Sequence, residues 1–81
     1  MTVRVLLFAR ARELAGAGEV ALALPAGATV ADLRTTLAAA HPELAGVLAR
    51  SAVAVDEEFA EDGTMIGGGA VAAVIPPVSG G

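Results

Sequence analysis

The chain has 81 residues, which leaves room for one small domain with a single hydrophobic core. It contains no cysteine, which excludes disulfides, thiol nucleophiles and cysteine-ligated metals. A net charge of −4 argues against nucleic acid or an anionic membrane as the main partner. The sequence has no signal-peptide pattern, and no apolar run approaches the ~20 residues needed to cross a bilayer, so a cytoplasmic location is expected.

The first half of the chain predicts two strands and two helices. Val3–Phe8 and Glu19–Leu24 alternate between two faces, as strands do. Between them, Ala9–Ala15 is predicted to form about two helical turns, ended by Gly16 and Gly18. Thr29 can cap a second helix, with Asp32 at its third position, and this helix must end before Pro42. The first strand has Val3, Val5 and Leu7 on one face and Arg4, Leu6 and Phe8 on the other, and it is expected to be partly covered on both. The residues expected to face the core are Val20, Leu22, Leu24, Val30, Leu33, Leu37 and Ala40.

The second half predicts a short helical connection and three strands. Glu43–Arg50 is the connection, and Ser51–Val55 is a strand of small and branched residues. An acidic, turn-rich segment follows, with a very short strand at Glu58–Ala60. Ala70–Ile75 is a continuous apolar run, which predicts a central strand buried on both faces. Leu44, Val47 and Leu48 are expected to be buried in the connection.

This order of elements predicts an α+β fold, the β-grasp or ubiquitin-like roll. We expect a mixed sheet of four to five strands with one main helix packed across it, formed by residues 1–75, and a flexible, extended C-terminal tail at 76–81. The first and last strands are parallel neighbours in this topology, so Phe8 and Ile75 should end side by side at one rim, with Phe59 close by. An exposed apolar patch there predicts a docking site for a partner.

The tail itself carries the most distinctive chemistry in the sequence. Pro76 and Pro77 favour an extended exit, so the six tail residues can reach about 19 Å. Gly80 and Gly81 have no Cβ and can thread a channel too narrow for other residues. The α-carboxylate of Gly81 is then the predicted reactive group. The simpler alternative is a frayed terminus or an expression scar.

The other candidate sites are weaker. Arg10 and Arg12 come just after the rim and can bind an anionic group; Arg12 is the better candidate, although a solvated helix residue is the alternative. His41 has no accompanying nucleophile or ligand set and fits a helix end. The acidic segment 56–62 lacks the spacing of a calcium loop, and Gly67–Gly69 lacks the residues of a phosphate loop. We therefore expect no metal site and no catalysis by this chain alone.

Two segments, Leu6–Gly16 (LLFARARELAG) and Ile75–Gly81 (IPPVSGG), stand near the two ends of the chain. Together they resemble the MoaD family, the small sulfur-carrier subunits of molybdopterin synthase, within the MoaD/ThiS ubiquitin-like sulfur carriers. The resemblance implies that a MoeB-like activating enzyme adenylates the Gly81 carboxylate with ATP and Mg²⁺. A persulfide donor then supplies the sulfur of a thiocarboxylate. That sulfur converts cyclic pyranopterin monophosphate to the molybdopterin dithiolene in molybdenum cofactor biosynthesis.

The resemblance also implies which partners and residues take part. The loaded tail inserts into a MoaE-like large subunit, within a heterotetramer built on a central dimer of large subunits. Catalytic residues lie on that large subunit, so this chain donates sulfur and holds no permanent cofactor. The implied reactive end is Gly80 and Gly81. The implied partner contacts are Phe8, Arg12, Phe59, Ile75, Pro76, Pro77, Val78 and Ser79.

The chain differs from the usual family pattern at three places. The family often has Asn where this chain has Asp56, Gly-Asp-Glu where it has Gly69-Ala70-Val71, and an aromatic residue where it has Ile75. These differences leave the tail chemistry unchanged and concern the choice of partner.

Three alternatives stay open. A ThiS-like carrier for thiazole synthesis shares the fold and the Gly-Gly end. A ubiquitin-like modifier would join Gly81 to lysines of other proteins, although without lysine the chain cannot form polymers of itself. A passive interaction module would keep all activity when Gly81 is removed.

Overall fold

The structure is a computed structural model that describes residues 1–77 of the chain. Its elements follow the predicted order, and most bounds agree within one or two residues. The elements are β1 (Thr2–Leu7), α1 (Ala9–Ala15), β2 (Glu19–Ala23), α2 (Val30–Ala40), a 3₁₀ turn (Pro42–Leu44), α3 (Ala45–Leu48), β3 (Ala52–Val55), β4 (Glu58–Ala60) and β5 (Val71–Ile75).

The five strands form one mixed sheet in the order β2-β1-β5-β3-β4. β1 and β5 are parallel, and the other three strand pairs are antiparallel. A parallel pair cannot be joined by a tight hairpin, so the chain between β1 and β5 must cross over the sheet. α2 makes that crossing, which confirms the predicted β-grasp roll with β5 at its centre.

The core lies between the helices and one face of the sheet. Val3, Val5 and Leu7, which share one face of β1, are buried there. From α2 the core receives Val30, Leu33 and Leu37. The connection also buries all three of the residues predicted for it, which are Leu44, Val47 and Leu48.

Two burial predictions are wrong. Ala40 is exposed because it ends α2, where the chain leaves helical geometry at His41. β5 is fully buried on one face only, through Ala72 and Val74. Its other face is half-buried, since the helices pack on a single side of the sheet and nothing in residues 1–77 covers the opposite side completely. We call this opposite side the open face.

The start of α2 is tied to the long connection between β4 and β5. The Thr29 hydroxyl accepts a hydrogen bond from the Asp32 N–H, and the Asp32 carboxylate accepts one from the Thr29 N–H at 2.9 Å. The first two helical N–H groups donate to the carbonyl oxygens of Thr64 and Asp62, both at 3.0 Å. All donors of the first turn are therefore satisfied, and the connection is held against the helix.

Candidate functional site

The ends of β1 and β5 meet at one rim of the sheet, which we call the tail rim. Leu7 is paired with Val74, so the next residues along the two strands, Phe8 and Ile75, reach the rim together. Phe8 is also the N-cap of α1, and its ring is not drawn into the core: the residue is 46% exposed. The predicted meeting of Phe8 and Ile75 at one rim is confirmed.

An apolar groove runs along β5 on the open face. Ala54 of β3 lies opposite Ala73 of β5 on one side and opposite Phe59 of β4 on the other. Small side chains therefore form the floor, while Phe8 and Phe59 stand at its two sides. Phe59 is 76% exposed, which is unusual for a phenylalanine in so small a domain. The groove, of about 510 Å³, is lined by Leu6, Phe8, Ala54, Asp56, Glu57, Phe59, Val71, Ala73 and Ile75.

The end of the groove away from the tail rim is a tight turn between β3 and β4. The turn consists of Asp56 and Glu57, which have φ values of 48° and 72°. Two positive φ values in a two-residue hairpin loop are the type I′ pattern, which normally selects Asn-Gly or Asp-Gly. This turn carries carboxylates, so the groove is apolar along its length and acidic at its far end.

Arg12 lies within α1, beside the end of β1. That helix ends where Gly16 takes a left-handed conformation, with φ 70°, and donates its N–H to the Arg12 carbonyl. The guanidinium of Arg12 lies against the Gly18 backbone: a Cβ placed on Gly18 would be 3.5 Å from its Cζ and Nε atoms. The side chain is thus held near the end of β1 while staying exposed.

The predicted tail begins at the same rim. Pro76 is buried and Pro77 is exposed, so the first of the two prolines belongs to the packed body. Val78, Ser79, Gly80 and Gly81 lie outside the described residues, and their predicted roles stay predictions. We call Pro76 and Pro77 the tail root. The structure brings Phe8, Phe59, Ile75 and the tail root into one region.

One ion pair borders the groove on the side of β2. Arg4 donates to both carboxylate oxygens of Glu19, at 3.1 and 2.7 Å. These hydrogen bonds lower the pKa of Glu19 and raise the pKa of Arg4, because each stabilises the charged form of its partner. Both side chains are well exposed, so the pair fixes local charge more than it stabilises the fold.

The weaker candidates gain no support as sites. His41 lies 3.4 Å from the Glu43 carboxylate, next to the end of α2. In the described part of the chain, no group of three or more His, Asp or Glu side chains is arranged to hold a metal ion. Among the same residues, no helix is long and apolar enough to cross a membrane.

The floor of the groove is not evident from the sequence. Ala54 and Ala73 do not stand out, because alanine is common throughout the chain and its side chain has no reactive or polar group. The alternation of Val71, Ala73 and Ile75 was a usable signal for a second face of β5. The pairing of Ala73 with Ala54 depends on strand register, which the sequence does not display.

A β-grasp domain with an exposed apolar groove along its last strand defines a ubiquitin-like fold. The chain belongs to the ThiS family, whose model matches residues 5–81. It is 39% identical to the molybdopterin synthase sulfur carrier subunit of Chlamydomonas reinhardtii, with all of both chains covered. It is also 38% identical to the protein of that name from Arabidopsis thaliana, over 98% of this chain and 82% of the relative. The predicted family resemblance is confirmed.

Solved structures agree with this assignment. SAMP1 from Haloferax volcanii matches with a TM-score of 0.89 and 32% identity over the whole of both chains. A chain of the complex between subunits 1 and 2 of the molybdopterin-converting factor from Helicobacter pylori matches with a TM-score of 0.73, also over its full length. At 24% identity, the second match supports the fold alone.

Proposed function

We propose that this chain is the sulfur carrier of a molybdopterin synthase. One structural observation carries the proposal: the central strand β5 ends at a rim with exposed aromatic and apolar side chains, four residues before a Gly80-Gly81 terminus. A central strand that leads from a docking surface into a Gly-Gly segment fits a protein whose reactive group is the Gly81 carboxylate. The full-length similarity to two sulfur carrier subunits supports the same role.

The chemistry begins at the Gly81 carboxylate, which is a poor electrophile. Its oxygen attacks the α-phosphorus of ATP, with Mg²⁺ on the activating enzyme, and pyrophosphate leaves. The terminal sulfur of a persulfide donor attacks the resulting acyl-adenylate, which releases AMP and forms an acyl disulfide. A thiol of the donor or of the activating enzyme then attacks the donor's sulfur in that disulfide, which releases the thiocarboxylate and leaves a disulfide on the attacking side. This chain needs no bound cofactor for these steps. Because acyl-adenylates hydrolyse, a narrow channel around Gly80 and Gly81 protects the intermediate from water.

The groove and the tail rim are the proposed contacts for both partners. A MoaE-like large subunit, in a heterotetramer, receives the tail and supplies the catalytic residues that pass sulfur to cyclic pyranopterin monophosphate. A MoeB-like activating enzyme binds the same end of the molecule, since both must reach Gly81. Exposed Phe8 and Phe59 supply the apolar anchors, and Arg12 supplies a charge. We place this chemistry in the cytoplasm, where ATP is available.

The decisive experiment detects the thiocarboxylate directly. The protein is incubated with ATP, Mg²⁺, an activating enzyme and a persulfide donor, then treated with a thiol-alkylating reagent and measured by intact mass. The chain has no cysteine, so one added label can only sit on a thiocarboxylate. Met65 is exposed and can be oxidised, and the added oxygen changes the mass by nearly as much as the exchange of oxygen for sulfur at Gly81. Alkylation distinguishes the two changes, because only the thiocarboxylate takes the label.

Two controls complete this experiment. A chain that ends at Gly80 should fold normally and take no label, and omission of ATP should also abolish it. A label that persists on the truncated chain would contradict the proposal. Pathway is assigned next, by giving the loaded carrier to a large subunit with cyclic pyranopterin monophosphate or, for the ThiS-like alternative, to a thiazole synthase with its substrates.

A second candidate function is protein modification. The observation that favours it is the close match to SAMP1, because a second solved structure of the Haloferax volcanii protein is named small archaeal modifier protein 1 and matches at a TM-score of 0.86. In this role, Gly81 would form an isopeptide bond with a target lysine. Adducts that survive both reductant and base would support it. Trypsin would leave residues 51–81 on the target, because Arg50 is the last basic residue of the chain.

A further inference from the structure

Two of the five arginines differ from the rest in having no partner within the described chain. Three arginines are paired: Arg4 with Glu19, Arg10 with Glu13 and Arg34 with Asp62. Arg12 and Arg50 form neither an ion pair nor a side-chain hydrogen bond with any of residues 1–77, and both are exposed. An arginine without an internal partner is free to bind an anion from outside.

Both arginines belong to segments at the tail-rim end of the sheet, on opposite sides of β5. The guanidinium of Arg12 lies against Gly18, whose carbonyl accepts the N–H of Leu7 at 2.9 Å. Leu7 is paired with Val74, near the end of β5. Arg12 therefore marks the β1 side of the tail root.

Arg50 marks the β3 side. It lies between α3 and β3, two residues before Ala52, and Ala52 is paired with Ile75 at the end of β5. Its N–H closes the preceding turn by donating to Val47. In the order of the sheet, Arg12 and Arg50 thus lie on opposite sides of β5, at the end from which the chain continues to Gly81: Arg12 lies against the turn before β2, and Arg50 directly precedes β3.

The unpaired carboxylates lie mostly elsewhere. Asp56, Glu57 and Glu58 are at the opposite end of β3, beside the paired residues Val55 and Ala72. Glu61 follows β4, the edge strand, which is two strands away from β5. The tail root therefore has a positive border, while the far end of the groove is negative, although the whole chain carries a charge of −4.

The length of the tail decides which anion these arginines can meet. Pro77 to Gly81 spans at most about 15 Å, at about 3.1 Å per residue. A nucleotide that reacts with Gly81 lies at the far end of that span when the tail is extended in a channel, beyond the reach of an arginine side chain at the root. Protein carboxylates around the mouth of the channel are within reach.

We propose that Arg12 and Arg50 bind acidic side chains that border the mouth of the partner's tail channel. The inference rests on the proposed function and adds to it a second contact residue, Arg50, and the chemistry of the partner surface. Two cations on opposite sides of the tail root orient the carrier so that its tail meets the opening. Electrostatic contacts of this kind act mainly on association rate and orientation.

The test measures binding to the molybdopterin synthase large subunit and to the activating enzyme of the same organism, at low and high salt. Arg12→Gln and Arg50→Gln should each weaken binding about threefold to fivefold at low salt, the range of a partly exposed ion pair. The double variant should lose more affinity than either single variant, and high salt should reduce the difference in affinity between the wild type and the variants. Arg50→Lys should keep most of the affinity.

Matched controls separate a local contact from net charge. Ala39→Glu, on the exposed side of α2, changes the net charge by the same amount as Arg50→Gln and should leave binding unchanged. The melting temperature of both glutamine variants should equal that of the wild type, since neither arginine has a partner among residues 1–77. Unchanged binding of the double variant would overturn this inference but not the proposed function. The same holds if Ala39→Glu weakens binding as much as Arg50→Gln does. Failure of the wild type to bind either protein would overturn the proposed function as well.

Discussion

Asp56 and Val71 are joined by two hydrogen bonds that link the β3–β4 turn to the start of β5. The Asp56 N–H donates to the Val71 carbonyl at 2.9 Å, and the Val71 N–H donates to Asp56 Oδ1 at 3.0 Å. Fifteen residues separate the two in sequence. This link fixes the hairpin that carries Phe59 relative to the strand that leads to the tail.

The link predicts the effect of two substitutions at one position. Asp56→Ala removes the acceptor for the Val71 N–H and places alanine at a φ of 48°, so it should lower the free energy of unfolding by about 1 kcal/mol. Asp56→Asn keeps an acceptor oxygen and tolerates the left-handed conformation. It should be close to wild type in urea unfolding, and an asparagine variant as unstable as the alanine variant would contradict this role.

The second turn residue is under backbone strain. Glu57 has a φ of 72°, a region that costs a residue with a Cβ about 1–2 kcal/mol. Glu57→Gly removes this cost but loses about 0.5–1 kcal/mol to the greater freedom of the unfolded chain, so it should stabilise the protein by up to about 1 kcal/mol. The same change at Glu58, inside β4, should destabilise it. Thermal unfolding of the two variants should therefore shift in opposite directions.

Phe59 is predicted to serve binding rather than folding. Phe59→Ala should change the free energy of unfolding by less than about 0.5 kcal/mol, because the residue is 76% exposed. It should weaken binding to the large subunit about tenfold or more, as expected of an aromatic anchor. Met65→Ala is the matched control, since Met65 is 67% exposed but lies outside the groove. Leu37→Ala, in the core, should instead cost about 2–5 kcal/mol in stability.

The Arg4–Glu19 pair predicts a small acid dependence of stability. The pKa of Glu19 is lower in the folded chain than the ordinary value of 4.5, because its carboxylate accepts hydrogen bonds from Arg4. The pair therefore adds stability above that ordinary pKa and loses it as pH falls through the lowered one. Glu19→Gln should be slightly less stable than wild type near neutral pH and equal to it in acid. Glu61→Gln, which removes an unpaired carboxylate, should show no such crossover in urea unfolding.

Much of the candidate site was predictable from local pattern. The order of the elements predicted a parallel pair of first and last strands, which placed Phe8 beside Ile75 at one rim, and the apolar run before Pro76 placed β5 directly before the tail. The groove was not predictable in detail. Its floor depends on the register that sets Ala54 opposite both Ala73 and Phe59, and register is decided by contacts between segments far apart in the chain.

The sequence by itself determined the elements and their order, because those depend on neighbours within a few residues. Thr29 and Asp32 form the predicted start of α2, and α1 ends at the predicted Gly16. Only the tertiary structure decided which side of β5 stays open. An apolar run such as Ala70–Ile75 reads as buried on both faces, yet the short chain provides helices for one side of the sheet only. The uncovered side is the surface that we expect a partner to cover.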